Sequence, residues 1–221
     1  MTPKVFVSHL AAVRLQNVFN PYGETCSEQD QPDGAERRQH NLTLFLEAAL
    51  DARVETVWIA RDLGYRGGRR TGVPLTDEVH LPKMTAMFDD LTLERATTGP
   101  AVAERTAAVV WSALLELDQP VFLWNVFPLH PHEAGDRQTN RTHTRAERAL
   151  FTPLLLALLA MLQPKTVVAI GRDAQLALAE LEIHSCPVRH PSYGGQAEFL
   201  AGLSALYGRS LASPSPATRL L

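Results

Sequence analysis

Three short apolar runs, each closed by a polar residue, constrain this chain more than any other feature. Thr56-Val-Trp-Ile-Ala-Arg-Asp62 leads into a loop of glycines and arginines, and Val121-Phe-Leu-Trp-Asn125 leads into Val-Phe-Pro-Leu-His130. Cys186-Pro-Val-Arg-His190 is followed by Pro-Ser-Tyr-Gly-Gly195. Short β-branched and aromatic runs bounded by turn residues read as buried strands. Residues 166–170 add another strand, and the last is expected over 183–188. Between them, residues 42–50, 101–117 and 196–207 have helical apolar spacing. The alternation predicts an α/β fold, a three-layer α/β/α sandwich around a mainly parallel four-stranded sheet. Ligands of such sheets bind outside the carboxyl ends of the strands. Asp62, Asn125 and His190 are therefore expected to meet at one cleft.

At 221 residues and 45% hydrophobic, the chain can bury a full core. One domain is expected over residues 1–209, with a flexible Ser/Pro/Ala-rich tail over 210–221. A net charge of −3 argues against a protein that coats DNA through overall basicity, although local basic surface can still bind phosphate. Cys26 and Cys186 are too few for a disulfide framework or a four-cysteine cluster. An intracellular, cytoplasmic setting is expected. The longest apolar stretch, residues 154–162, falls far short of the roughly 20 residues that span a bilayer. It reads as a core helix, and no membrane association is expected.

The loop after Asp62 carries Arg61, Arg66, Arg69 and Arg70 around Gly64, Gly67, Gly68 and Gly72. Glycines let backbone approach a ligand closely, and arginines match phosphate geometry. Each polar residue also has a structural alternative: a salt bridge for Asp62, a strand-capping turn for Asn125, a packed histidine for His190. Phe19-Asn-Pro-Tyr22 reads as a surface turn with a core aromatic, or as a brace for the loop after Asp62. Thr144 and Glu147 fit a capping box. His130, His132, Glu133, Asp136 and His143 resemble a metal cluster in composition only, and no metal is expected. A loop of histidines and arginines (Arg137, Arg141, Arg145, Arg148) beside an anion-binding cleft accounts for them.

Order and spacing join the segments. The first resembles the water-activating loop of the uracil-DNA glycosylases: a strand delivers Asp62, and ten residues on, Gly72-Val-Pro-Leu75 keeps the family's closing run. The family's Gly-Gln-Asp-Pro-Tyr reads Ala60-Arg-Asp-Leu-Gly-Tyr65, so Gly64 stands in the tyrosine's place and Leu75 in that of the stacking phenylalanine. Leu123-Trp-Asn125 resembles the strand whose asparagine reads uracil, and His190-Pro-Ser192 the family's other hallmark.

The resemblance implies a glycosylase that flips uracil from single- or double-stranded DNA, hydrolyses its N-glycosidic bond and acts as a monomer without metal or organic cofactor. Asp62 would orient water and His190 would stabilise the departing base. Asn125 would select uracil, because an amide can accept from N3–H and donate to O4. Tyr65 or Phe127 would cover the base beside Gly64 and Leu75. Arg61, Arg66, Arg69, Arg70 and Ser192 would contact DNA. Tyr193 would enter the base stack, with Gln196 as the polar substitute. A glycosylase for hypoxanthine or mismatched thymine is the nearest alternative, followed by a non-catalytic nucleic-acid-binding protein. The chain lacks the Gly-x-x-x-x-Gly-Lys-Ser/Thr loop and the acidic metal cluster of a nucleotide hydrolase.

Overall fold

The computed structural model describes residues 1–211. It runs α1 (Pro3–Ala12), β1 (Val18–Phe19), α2 (Gly34–Asp51), β2 (Thr56–Asp62), α3 (Gly68–Thr71), α4 (Met84–Met87), α5 (Arg105–Leu117), β3 (Phe122–Phe127) and β4 (His130–Pro131). After these come α6 (Arg145–Ala149), α7 (Thr152–Leu162), β5 (Thr166–Ile170), α8 (Arg172–Glu180), β6 (Cys186–Val188) and α9 (Gln196–Tyr207). The central sheet has four strands in the order β3-β2-β5-β6, every pair parallel. β1 and β4 form a separate antiparallel ribbon.

A parallel sheet covered on both faces needs apolar residues at successive positions. β3 is buried along its whole length. On one face, the Phe122 ring stacks on Phe45 of α2 and Trp124 meets Phe6 of α1. Trp58, which points the opposite way, meets Phe199 of α9 and donates its indole N–H to Tyr207 at 2.9 Å. Helices on both faces make the three layers expected from the alternation.

The differences from expectation are local and have causes. β2 continues through Asp62 and β3 through Phe127, so both polar residues sit within strands. The helix expected over 101–117 starts only at Arg105, because Glu104 is extended. The last strand shortens to Cys186–Val188 after Glu182 turns left-handed at φ 57°. The Thr144–Glu147 capping box forms, but its helix stops at Ala149 and Pro153 lies in the first turn of a second one. α1 and the ribbon were not legible in the apolar pattern. Of the expected tail, residues 212–221 lie outside the described residues, while Leu211 is buried with its N–H 3.0 Å from the Ser204 hydroxyl. No helix of the described residues is long and apolar enough to cross a membrane.

The loop after Asp62 is held from inside. Tyr22 donates its hydroxyl to the Gly72 carbonyl at 2.9 Å, which makes the N-terminal turn a brace. Asn41 of α2 donates to the Thr71 carbonyl at 3.0 Å, and Arg70 pairs with buried Glu78 at 2.9 Å. Gly72 adopts φ 73°, and a Cβ there would lie 2.7 Å from the Arg38 Cβ, so only glycine fits.

Candidate active site

A cleft of about 430 Å³ opens at the carboxyl ends of the strands, lined by Asp62, Gly64, Leu75, Glu104, Ile170 and His190 among others. Asn125 is buried next to Ala60, which lines the cleft, and does not itself line it. Ala60 pairs with Asn125 and Asp62 with Phe127, so all four side chains share one face of the sheet. Ile170 pairs with Val188, and His190 follows Val188 by two residues.

The Asp62 side chain is 10% exposed, and its Oδ2 accepts from Arg61 Nε at 3.0 Å. The same oxygen lies 3.2 Å from Nδ1 of His143, whose ring stacks on Phe127 at 5.0 Å between centroids. With Oδ2 held by both neighbours, Oδ1 is the oxygen left for a water. Arg61 also reaches Asp173 at 3.2 Å, so its guanidinium bridges two carboxylates.

At His190, the Ser192 backbone N–H donates to Nδ1 at 3.2 Å, with the Ser192 hydroxyl 2.7 Å from the same nitrogen. A nitrogen that accepts carries no proton, so the proton of the neutral ring is on Nε2. Burial, aided by the positive charges of Arg61 and Arg189, pulls the ring down to about 4. At neutral pH His190 is therefore an uncharged N–H donor. Gly171 gives it room: a Cβ there would lie 3.1 Å from the His190 Cβ.

Asn125 is 1% exposed, and neither amide atom has a partner among the described residues. Leaving both ends of a buried amide unpaired costs a fold stability, which makes the residue a poor structural choice. Glu104, half-buried, joins Asp62 and Asp173 as a third carboxyl of the cleft. Burial and then the nearby Asp77 carboxylate push it up to about 7, opposed by Arg66.

The other expected site residues divide. Gly64 and Leu75 line the cleft, Leu75 in a left-handed conformation at φ 57°. Tyr65 is half-buried beside it, its N–H bound to Asn140 Oδ1 at 3.0 Å and its ring under exposed Arg66. Phe127 is fully buried between His143 and Phe151 and does not reach the cleft. Tyr193 is 98% exposed at φ 51°. Arg69 and Arg70 contradict the expectation of phosphate contact. Both are buried, Arg69 over the Phe19 ring and Arg70 on Glu78, because the loop folds back on the N-terminal turn. The Ser192 hydroxyl is engaged with His190.

His143 and Glu104 are the functional candidates that motif reading missed. His143 was visible only as part of a histidine-rich loop, and its approach to Asp62 is tertiary. Arg141 fixes that loop by pairing with Glu147 at 2.6 Å and donating to the Asn17 carbonyl at 3.1 Å. His130 turns to the Thr139 carbonyl and His132 to the Glu133 carbonyl. Among the described residues no group of three or more histidine, cysteine or acidic side chains is arranged to hold a metal. A larger cavity of about 850 Å³, beside Cys26, Arg69 and His132, contains none of the three strand-end residues.

This sheet, with Asp62 and His190 in a cleft at its carboxyl ends, has the frame of an α/β/α protein that takes its ligand at the strand ends. The model of the uracil DNA glycosylase superfamily matches residues 53–220, and the chain belongs to that superfamily, among the DNA glycosylases. The crystal structure of wild-type SMUG2 from Pedobacter heparinus is similar, with a TM-score of 0.65 at 14% identity over 94% of this chain and 96% of that one. A search of curated proteins finds no match.

Proposed function

We propose that the protein excises uracil from DNA as a monofunctional glycosylase, leaving an abasic site. The observation that carries this reading is the buried, unpartnered Asn125 amide on the sheet face it shares with Asp62. A site built to hydrogen-bond a base edge rejects a base with the opposite donor pattern, because its own polar groups would stay unpaired. Uracil offers N3–H to the amide oxygen and O4 to the amide N–H, whereas cytosine reverses both.

The chemistry then follows from the neighbours. The base must leave the stack, since its glycosidic bond is inaccessible inside a duplex. The bond between C1′ and N1 breaks with its electron pair on the base, and the developing anion at O2 accepts from His190 Nε2–H. Such a donor is worth most where water is excluded and the ring needs no reorganisation. Asp62, its Oδ2 held by Arg61 and His143, presents Oδ1 to the water that adds to C1′ and balances the positive charge on the sugar. The water's second proton leaves through Asp62 to solvent or to the departed base. Exposed Tyr193, on the rim beside His190, takes the place of the extruded nucleotide, and Arg66 meets the backbone.

The test is alkali-revealed cleavage of a labelled single-uracil oligonucleotide, single- and double-stranded, with EDTA present. Scission at the uracil is expected in both metal-free reactions. Intact uracil strands together with cleavage of a hypoxanthine or mismatched-thymine strand would move the assignment to that base.

A further inference from the structure

Besides Asp173, which Arg61 engages, the cleft contains a carboxyl group that this mechanism does not use. Glu104 precedes α5, the helix that leads into β3, so it approaches the cleft from the side away from β6 and His190. Its amide is fixed, donating to Asp77 Oδ2 at 2.6 Å. Its carboxyl lies on the bare backbone of the loop that follows Asp62. A Cβ on Gly64 would fall 2.5 Å from Oε1, and one on Gly67 would fall 2.2 Å from Oε2. Any side chain at position 64 would therefore have to displace Glu104. Two glycines make the space, and the carboxyl fills it.

We propose that Glu104 is a specificity-determining residue of the cleft, the wall that bars a methyl group on the far edge of the extruded base. The inference rests on the uracil reading above. With O2 of a pyrimidine at His190 and the N3–O4 edge at Asn125, the edge that remains is C5, on the side where Glu104 stands. Facing a C5 hydrogen, the carboxyl can stay hydrated from the open side of the cleft. A C5 methyl would strip that water and offer no hydrogen bond in return. The wall thus discriminates by desolvation as well as by size, and it is strongest when the carboxyl is ionised.

Charge around Glu104 fixes how this should vary with pH. Asp77 faces it from beneath and Arg66 from the loop, while Asp62, Arg61, His190, Arg141 and Asp173 line the rest of the cleft. Because Glu104 takes up its proton near 7, the wall should soften as pH falls through neutrality.

The experiment is single-turnover cleavage of two oligonucleotides, one with uracil and one with thymine opposite guanine, by wild type, Glu104→Ala and Glu104→Gln from pH 6 to 8.5. The readout is the ratio of the thymine rate to the uracil rate. Glu104→Ala should raise it at least tenfold at pH 8. In wild type the ratio should rise as pH falls through 7, and in Glu104→Gln, which keeps the shape without the titration, it should be flat. Uracil cleavage with a ratio unchanged by Glu104→Ala overturns this inference and leaves the uracil reading intact. Wild type inactive on both strands overturns the two together. If Glu104→Ala fails to fold, the pH dependence of the wild-type ratio against that of Glu104→Gln decides.

Discussion

The loop after Asp62 and the loop after His190 both border the cleft, yet they are built in opposite ways. The first is pinned to the interior by Tyr22, Asn41 and the Arg70–Glu78 pair, and two of its arginines are buried. The second closes on itself through the Ser192–His190 bonds and then projects Tyr193 into solvent from a left-handed turn. One loop spends its polar side chains on holding a carboxylate still. The other holds a ring still but leaves a large aromatic residue almost fully exposed at the rim. That division suits an enzyme whose reacting groups must be fixed while its rim meets a deformable partner.

The comparison can be broken most severely at Asp62. Asp62→Asn keeps the shape but removes the charge facing the water and the sugar, and single-turnover uracil excision should fall by about 10²–10⁴-fold. Arg70→Ala should act on the fold instead. Breaking a buried ion pair leaves Glu78 with only the longer Arg95 contact at 3.3 Å as its cationic partner, and chemical denaturation should show a loss of about 3 kcal/mol. If Arg70 were a phosphate contact, stability would hold while DNA affinity and its salt dependence fell.

Tyr193→Ala is the converse case. Its stability should stay within about 0.5 kcal/mol of wild type. Excision from duplex should slow by roughly tenfold, the loss of about 1.4 kcal/mol, and excision from single strands should slow less. The smallest effect concerns pH. With His190 drawn down to about 4, its ring stays neutral across the working range, so the rate should show no inflection at 6.5 from this group and should decline only as pH falls toward 4. The same depression lowers stability as pH drops from about 6.5 toward 4, because the unfolded chain takes up the proton first.

The strand ends were legible because buried parallel strands are continuous apolar runs, and a polar residue closing one stands out. That made the sheet, and a cleft holding Asp62 and His190, readable along the chain, whereas Asn125 is buried beside Ala60 and does not line the cleft. The roles of Arg69 and Arg70 were misread for the opposite reason: a run of arginines between glycines says nothing of which way the loop folds, and here an aromatic and a glutamate from distant segments draw both inside. His143 lies 81 positions from Asp62. Glu104 meets Gly64 across a segment that includes α3 and α4. Neither contact has a periodicity or spacing to betray it. Phe127 shares the parity of Asn125 but is covered by His143 and Phe151, which only the packing shows.

The measurement that bears most directly on the central claim pairs stability with activity in Asn125→Leu. If the amide is kept for a base and not for the fold, removing it relieves two unpaired buried groups. The thermal midpoint should hold or rise while uracil excision drops by at least about a hundredfold. A midpoint that falls, with excision retained, would make Asn125 a structural residue and contradict the account.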